Sequence, residues 1–155
     1  MIALLQRVKN SRVTVDGTEA GHIDLGLLIL LGVMETDDEK DADFLAEKIS
    51  CFRIFPDENE KMNLDIRQAG GKCLVVSQFT LCADWIRGRR PGFTAAAHPE
   101  KGETLYEYFC QRLRLNGIGV ETGIFGAMMD VTLTNYGPVT FILDSNKKYP
   151  KNINK

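Results

Sequence analysis

The sequence predicts a single α+β domain, a curled and largely antiparallel β-sheet with two helices packed against it. Three observations predict it. Apolar residues alternate with polar ones along most of the chain, helical spacing takes over in only two windows, and most connections are too short for parallel crossovers. The elements read ββ(β)β-α-ββ-α-βββ, with no internal repeat and no linker. A chain of 155 residues suits one domain. At that size roughly two-thirds of the unfolded surface is buried, enough to fold without a disulfide or a metal.

Taken in order, IALLQRV and RVTVDG read as two strands joined by a short turn at Asn10-Ser11. Gly21 breaks the chain, and the apolar run Leu25 to Val33 reads as a strand buried on both faces. The period then changes. Asp37 or Asp38 offers a helix cap, acids fill the first turn, and Phe44, Leu45, Lys48, Ile49 and Phe52 follow at helical spacing. Pro56-Asp57-Glu58-Asn59 ends that helix in a turn. Gly70-Gly71 introduces KCLVVSQFTL, a strand with a polar end, and the loop ADWIRGRRPGF follows. Pro99 opens a second helix, where its missing N–H is harmless. Leu105, Tyr106, Phe109 and Leu113 form its buried stripe, and Asn116-Gly117 ends it. IGVETGIFG, AMMDVTLTN and PVTFILD read as strands separated by glycines. The end, NKKYPKNINK, is polar, basic and loose. The expected boundaries are 1–144 for the domain and 145–155 for a basic C-terminal tail.

Composition removes several functions. Net charge is −2, so any contact with RNA must come from a local basic patch. Cys51, Cys73, Cys82 and Cys110 show no C-x-x-C spacing, and only His22 and His98 could join them at a metal, which argues against a zinc site. Cys51, Cys73 and Cys110 sit in apolar runs and read as core thiols in a reducing cytosol. The N-terminus is too short and too soon charged for a secretory signal. The longest apolar run, Leu25 to Met34, is about half of what spans a bilayer, so a soluble cytoplasmic protein is expected. There is no Gly-rich phosphate loop, no G-x-S-x-G elbow, and no evident serine or cysteine partner for either histidine. No cofactor and no metal is expected. A hydrolase built on this sequence must find its base elsewhere, for example in its substrate.

Three segments are candidates for chemistry. Ser77-Gln78-Phe79-Thr80 brings two hydroxyls, an amide and an aromatic to a strand end, where freed backbone N–H groups suit an oxyanion. The same pattern fits an ordinary alternating strand with its hydroxyls satisfied by turns, and chemistry alone favours that reading. Asn135-Tyr136-Gly137-Pro138-Val139-Thr140 is by default a turn. A cis Gly-Pro bond there would instead present two carbonyls side by side, suited to gripping an ammonium group. Arg87-Gly88-Arg89-Arg90, beside Trp85 and Phe93, fits either a solvated face or an RNA contact.

Together, Leu5-Gln6-Arg7-Val8, SQFTL at 77–81, GRRPGF at 88–93, GIFGAMM at 123–129 and NYGPVT at 135–140 resemble the D-aminoacyl-tRNA deacylase family, in unbroken register from Met1 to about Asp144. The pair SQFTL and N-x-GPVT is the specific part. The resemblance implies a cytoplasmic homodimer that hydrolyses the ester of D-aminoacyl-tRNA, with mischarged glycyl-tRNA as a second substrate. Its partner is the aminoacylated 3′ end of tRNA, with no role for DNA or a membrane. By position, Gly137-Pro138 of one subunit enters the other's active site and leaves no room for an L side chain, and Arg7 orients it. Ser77, Gln78, Phe79 and Thr80 line the scissile ester, with the Phe79 and Thr80 amides as oxyanion donors, while Phe125 and Met129 flank the terminal adenine. The neighbouring 2′-hydroxyl assists the reaction. A covalent Thr80 is less favoured, because nothing nearby in sequence activates it. The family often has an acid where Met128 and Tyr136 stand and an aromatic where Cys82 stands. Two rival readings are a non-catalytic tRNA-binding dimer using Arg87, Arg89, Arg90 and the lysine tail, and a thiol hydrolase using Cys82 and a histidine.

Overall fold

The first strand, β1 (Ile2–Val15), runs straight through Asn10-Ser11, where the sequence suggests a turn. The reason is a distant partner. The last strand, β8 (Asp130–Asp144), lies antiparallel along β1 and pairs Asn10 with Thr134 and Ser11 with Leu133. Two register shifts, at Gln6/Val8 and Val8/Asn10, bend β1 without breaking it. Its other edge is shared, Ile2 to Val8 by β3 (Gly26–Gly32) and Ser11 to Val15 by β2 (Thr18–Ile23). A computed structural model describes residues 1–86 and 88–147.

From β3 the chain passes through helix α1 (Glu39–Ser50) and a two-stranded ribbon, β4 (Phe55–Pro56) with β5 (Met62–Leu64), to β6 (Lys72–Ser77). A 3₁₀ turn (Phe79–Cys82) and a loop lead to helix α2 (Pro99–Leu115), then to β7 (Gly119–Thr122) and β8. The main sheet has the order β2-β1-β3-β6-β7, with β8 on β1. Antiparallel pairing predominates as expected, but β3–β6 and β6–β7 are parallel, each crossover carried by one of the helices. The ends of the sheet meet. A Cβ on Gly21 of β2 would lie 2.6 Å from the carbonyl oxygen of Thr122 on β7, so this glycine lets the sheet curl nearly into a barrel.

As expected, β3 is apolar on both faces. Leu27, Ile29 and Leu31 face the helix-covered core with Leu45, Ile49 and Phe109, while Leu28 joins Val8, Val13, Ile23, Leu74 and Val76 in a second cluster. Asp38 caps α1: its carboxylate accepts from the Lys40 N–H at 2.8 Å, and Asp41 reaches back to the Asp38 N–H at 3.0 Å. Asp37 is buried instead, holding the Met1 ammonium and the Met34 N–H, each at 2.6 Å. Pro99 starts α2 and the stripe Leu105, Tyr106, Phe109, Leu113 is buried.

Besides the turn expected at Asn10-Ser11, two readings of the sequence need correction. The three C-terminal strands are two, because β8 continues through Gly137-Pro138 and residues 123–129 form a loop. Cys51 is exposed, since it caps the C-terminal end of α1 rather than joining its buried face; Cys73, Cys82 and Cys110 are buried. Ser145, the first residue past the expected boundary at 144, is buried and donates its N–H to the Met1 carbonyl at 2.9 Å. Residues 148–155, with the tail lysines Lys148, Lys151 and Lys155, lie outside the described residues.

Candidate active site

Strand β6 stops because its pairing partner β3 ends. The Gln78 N–H still reaches the Leu31 carbonyl at 2.8 Å, after which the chain coils into the 3₁₀ turn. The first bond of that turn is from the Leu81 N–H to the Gln78 carbonyl at 3.2 Å. The N–H groups of Phe79 and Thr80 precede it and are not consumed by the turn, as at any helix start. They sit on the rim of a cavity of about 550 Å³.

Ser77, Gln78, Phe79 and Thr80 line this cavity together with Phe125 and Met129. Six of the nine residues that the resemblance implies therefore come together across 52 positions of sequence (77 to 129). Gln78 Nε2 donates to Thr80 Oγ1, tying the amide to the hydroxyl. Gly102, inside α2, gives Phe125 its seat: a Cβ there would lie 3.4 Å from the Phe125 ring. Sequence reading missed this residue, although a lone glycine inside a helical pattern is a signal of close packing.

No Asp, Glu, His, Lys, Arg or Cys is among the described residues lining the cavity. The one titratable group, Tyr106, donates its hydroxyl to the Val75 carbonyl at 2.8 Å, and burial raises its pKa well above the ordinary tyrosine value. Cys82 faces elsewhere. Its thiol donates to the Val33 carbonyl at 3.5 Å, and burial, with Asp37 nearby, pushes its pKa up, so it is a poor nucleophile. The cavity offers donors and shape, with no general base of its own. Among the described residues no group of three metal-ligating side chains occurs.

Arg7, Gly137 and Pro138 do not line this cavity. The Gly137-Pro138 peptide is cis and exposed. Asn135 clamps it, accepting from the Val139 N–H at 3.0 Å and donating to the Val139 carbonyl at 3.2 Å. Arg7 holds the preceding residue through its Nε, which donates to the Tyr136 carbonyl at 2.9 Å, and is itself anchored on the Ile54 carbonyl. A Cβ on Gly137 would fall 2.6 Å from the Val139 nitrogen, so the corner accepts only glycine. The clamp by Asn135 was not foreseen from sequence, which marked the segment without giving this residue a role.

The loop after the 3₁₀ turn is closed at its neck by reciprocal backbone bonds between Asp84 and Gly92, both 2.8 Å. Trp85, Ile86, Arg89 and Arg90 are exposed on it, and Phe93 packs edge-on against Phe79 with ring centres 4.9 Å apart. Arg87 lies outside the described residues. A second, shallow depression of about 570 Å³ lies at the starts of α1 and α2, lined by Asp37, Asp38, Glu39, His98, Glu100 and Lys101, a mainly acidic surface suited to neither phosphate nor ester.

Comparison with known proteins gives the family. Residues 4–144 match the family model described as D-Tyr-tRNA(Tyr) deacylase. The chain is 54% identical over 149 residues to a protein of Koribacter versatilis (strain Ellin345) named D-aminoacyl-tRNA deacylase, covering 96% of this chain and 100% of that one. A protein of the same name from Pectobacterium carotovorum subsp. carotovorum (strain PC1) is 56% identical over 145 residues, 94% and 100% of the two chains. Among solved structures, "c-Myc DNA Unwinding Element Binding Protein" superposes with a TM-score of 0.87 at 35% identity, covering 93% of this chain and 98% of its own. The chain belongs to the D-Tyr-tRNA(Tyr) deacylase family.

Proposed function

We infer that this protein hydrolyses the ester bond of D-aminoacyl-tRNA, releasing free D-amino acid and tRNA, and so proofreads chirality in translation. The observation that carries the reading is a cavity edged by unspent N–H groups and lined, among the described residues, by no charged side chain. An aminoacyl ester is already activated relative to an amide. Holding its carbonyl oxygen against the Phe79 and Thr80 amides stabilises the developing oxyanion, a contribution worth about 3–4 kcal/mol per donor elsewhere. Gln78 and Ser77 position the ester, Phe125 and Met129 flank the terminal adenine, and the ribose 2′-hydroxyl beside the ester assists in place of a protein base. Thr80 lacks a base to activate it, which disfavours a covalent route.

The active unit is a homodimer. Directly opposed residues on neighbouring strands share a face, and the register aligns Ile142, Leu4, Leu30 and Val76 in one apolar row across β8, β1, β3 and β6. Its outer end, Ile142, is 68% exposed, and its inner end, Val76, lines the cavity. Two-fold pairing of that row lays one copy's β8 beside the other's cavity. The Gly137-Pro138 corner, outside its own cavity, then closes its partner's, leaving space at the substrate Cα for hydrogen or a D substituent only. Glycyl-tRNA passes the same filter. No described helix is long and apolar enough to cross a membrane, and a tRNA substrate supports a cytoplasmic location.

Incubation with D-Tyr-tRNA and L-Tyr-tRNA is the direct test: the D ester is cleaved and the L ester survives. Equal cleavage of both, or of neither, overturns the reading. Exposed Arg89 and Arg90 favour one rival, a tRNA-binding dimer without catalysis. It predicts steeply salt-dependent binding with no ester cleavage.

A further inference from the structure

We propose that Trp85 stacks on an unpaired base of the tRNA 3′ end, just outside the nucleotide held in the cavity, with Arg89 and Arg90 on the adjoining phosphates. This rests on the deacylase reading and names the RNA contact that the same site makes beyond the ester.

Trp85 is 77% exposed and its neighbour Ile86 is 80% exposed. No ring or cation contact to Trp85 occurs among the described residues. Its loop is pinned by the two Asp84–Gly92 bonds, and the Asp84 carboxylate accepts the Ile86 N–H at 3.0 Å. The root of the loop is tied to the candidate site at both ends. It leaves the 3₁₀ turn that carries Phe79 and Thr80, and it returns through Phe93, which packs on Phe79. Between Ala83 and Phe93 the sequence has three arginines and one acid, in a chain whose net charge is −2. An exposed aromatic among arginines, on a loop rooted beside the cavity proposed to receive the terminal nucleotide, matches how proteins hold single-stranded RNA: cations on the backbone, a ring on a base face. A single-stranded 3′ terminus is the part of the substrate that must pass this point.

The chain contains one tryptophan, so its fluorescence reports on this residue alone. Titration of the intact protein with uncharged tRNA, or with a short single-stranded RNA ending in CCA, should quench that emission to saturation. Inorganic polyphosphate and AMP should not, because they offer charge without a strand or a base without the reach. In kinetics, Trp85→Ala should raise KM for D-Tyr-tRNA about tenfold with little change in kcat, the size expected for one stacked base, and Trp85→Phe should restore most of it. With D-tyrosyl-adenosine, which has no strand beyond the terminal nucleotide, the tenfold rise should vanish. Unquenched emission at saturating tRNA, or an unchanged KM in Trp85→Ala, overturns the proposal. So does an equal loss on both substrates with dissociation of the dimer, which would make Trp85 a contact between copies. Absence of hydrolysis of either ester by the unaltered protein would instead sink the deacylase reading, while quenching by RNA would still support the stack.

Discussion

The guanidinium of Arg7 lies 4.4 Å from the centre of the Tyr136 ring, while its Nε donates to the Tyr136 carbonyl at 2.9 Å. One buried cation thus grips both the side chain and the backbone of the residue before Gly137. Lysine cannot reproduce this, lacking a planar fork that serves the Tyr136 and Ile54 carbonyls at once. Arg7→Lys should destabilise the fold by about 1.5–3 kcal/mol, the range for a hydrogen bond from a charged donor, read by urea unfolding. It should also raise the rate on L-Tyr-tRNA relative to D-Tyr-tRNA.

Asn135→Ala removes both side-chain bonds to Val139 while leaving the strand pairing of β8 in place. We expect a loss of about 1–3 kcal/mol from the two unmade bonds. Rejection of L-aminoacyl-tRNA should weaken in parallel. A variant that loses stability yet rejects L substrates as before would show that the corner is not the filter.

Gln78→Ala should slow turnover far more than it lowers Tm. The side chain is half-buried at the cavity edge and its amide holds the Thr80 hydroxyl. A drop of about tenfold to a hundredfold in kcat is expected for a lost positioning group in a preorganised site, with Tm nearly unchanged by calorimetry. Melting of the variant would make Gln78 structural.

Alkylation should mark Cys51 and spare activity. Burial keeps Cys110 a thiol up to about 11, with Cys73 higher still and Cys82 also raised. These groups favour the neutral form in the fold more than in the unfolded chain. Their stabilising contribution is therefore complete below the ordinary cysteine value near 9 and is lost as pH rises through the raised one. Unfolding should begin to ease above about pH 9, and iodoacetamide at pH 8 should add one group per native chain, checked by mass spectrometry.

Asp37→Asn should be among the most damaging single changes. It leaves the fully buried Met1 ammonium without its 2.6 Å counter-charge. Breaking a buried ion pair by removing one partner costs about 3–5 kcal/mol. A loss below 1 kcal/mol in urea would mean that the Ser145 hydroxyl, which already accepts from this ammonium at 2.8 Å, suffices without the carboxylate charge.

Local signals account for what the sequence made legible. Asp38, Pro99 and the stripe Leu105-Tyr106-Phe109-Leu113 act within a few residues, so both helices could be located. Asn10-Ser11 carries turn chemistry too, but its backbone is satisfied by Thr134 and Leu133, more than a hundred residues away. Nothing local announces such a partner. Cys51 misled for a similar reason: its neighbours are apolar, yet it falls one residue past the end of α1. At the candidate site, the polar strand end at 77–80 stands out, but chemistry alone favours an ordinary strand, and only family resemblance gives it a role and joins it to Phe125 and Met129. Gly102 and Asn135 act through space that a helix and a bent strand create; the lone glycine in a helical pattern signals close packing without saying against what, and nothing local gives Asn135 its partner.

A reaction chamber whose described lining gains and loses no proton near neutrality has consequences for control. None of the described lining residues supplies an acid–base switch near neutrality, so on the proposed mechanism an inflection of the rate there is expected from the amine of the incoming ester. On the proposed mechanism the reagent arrives with the substrate, and what remains for the protein is admission: the shape of the entrance decides which esters reach its donors.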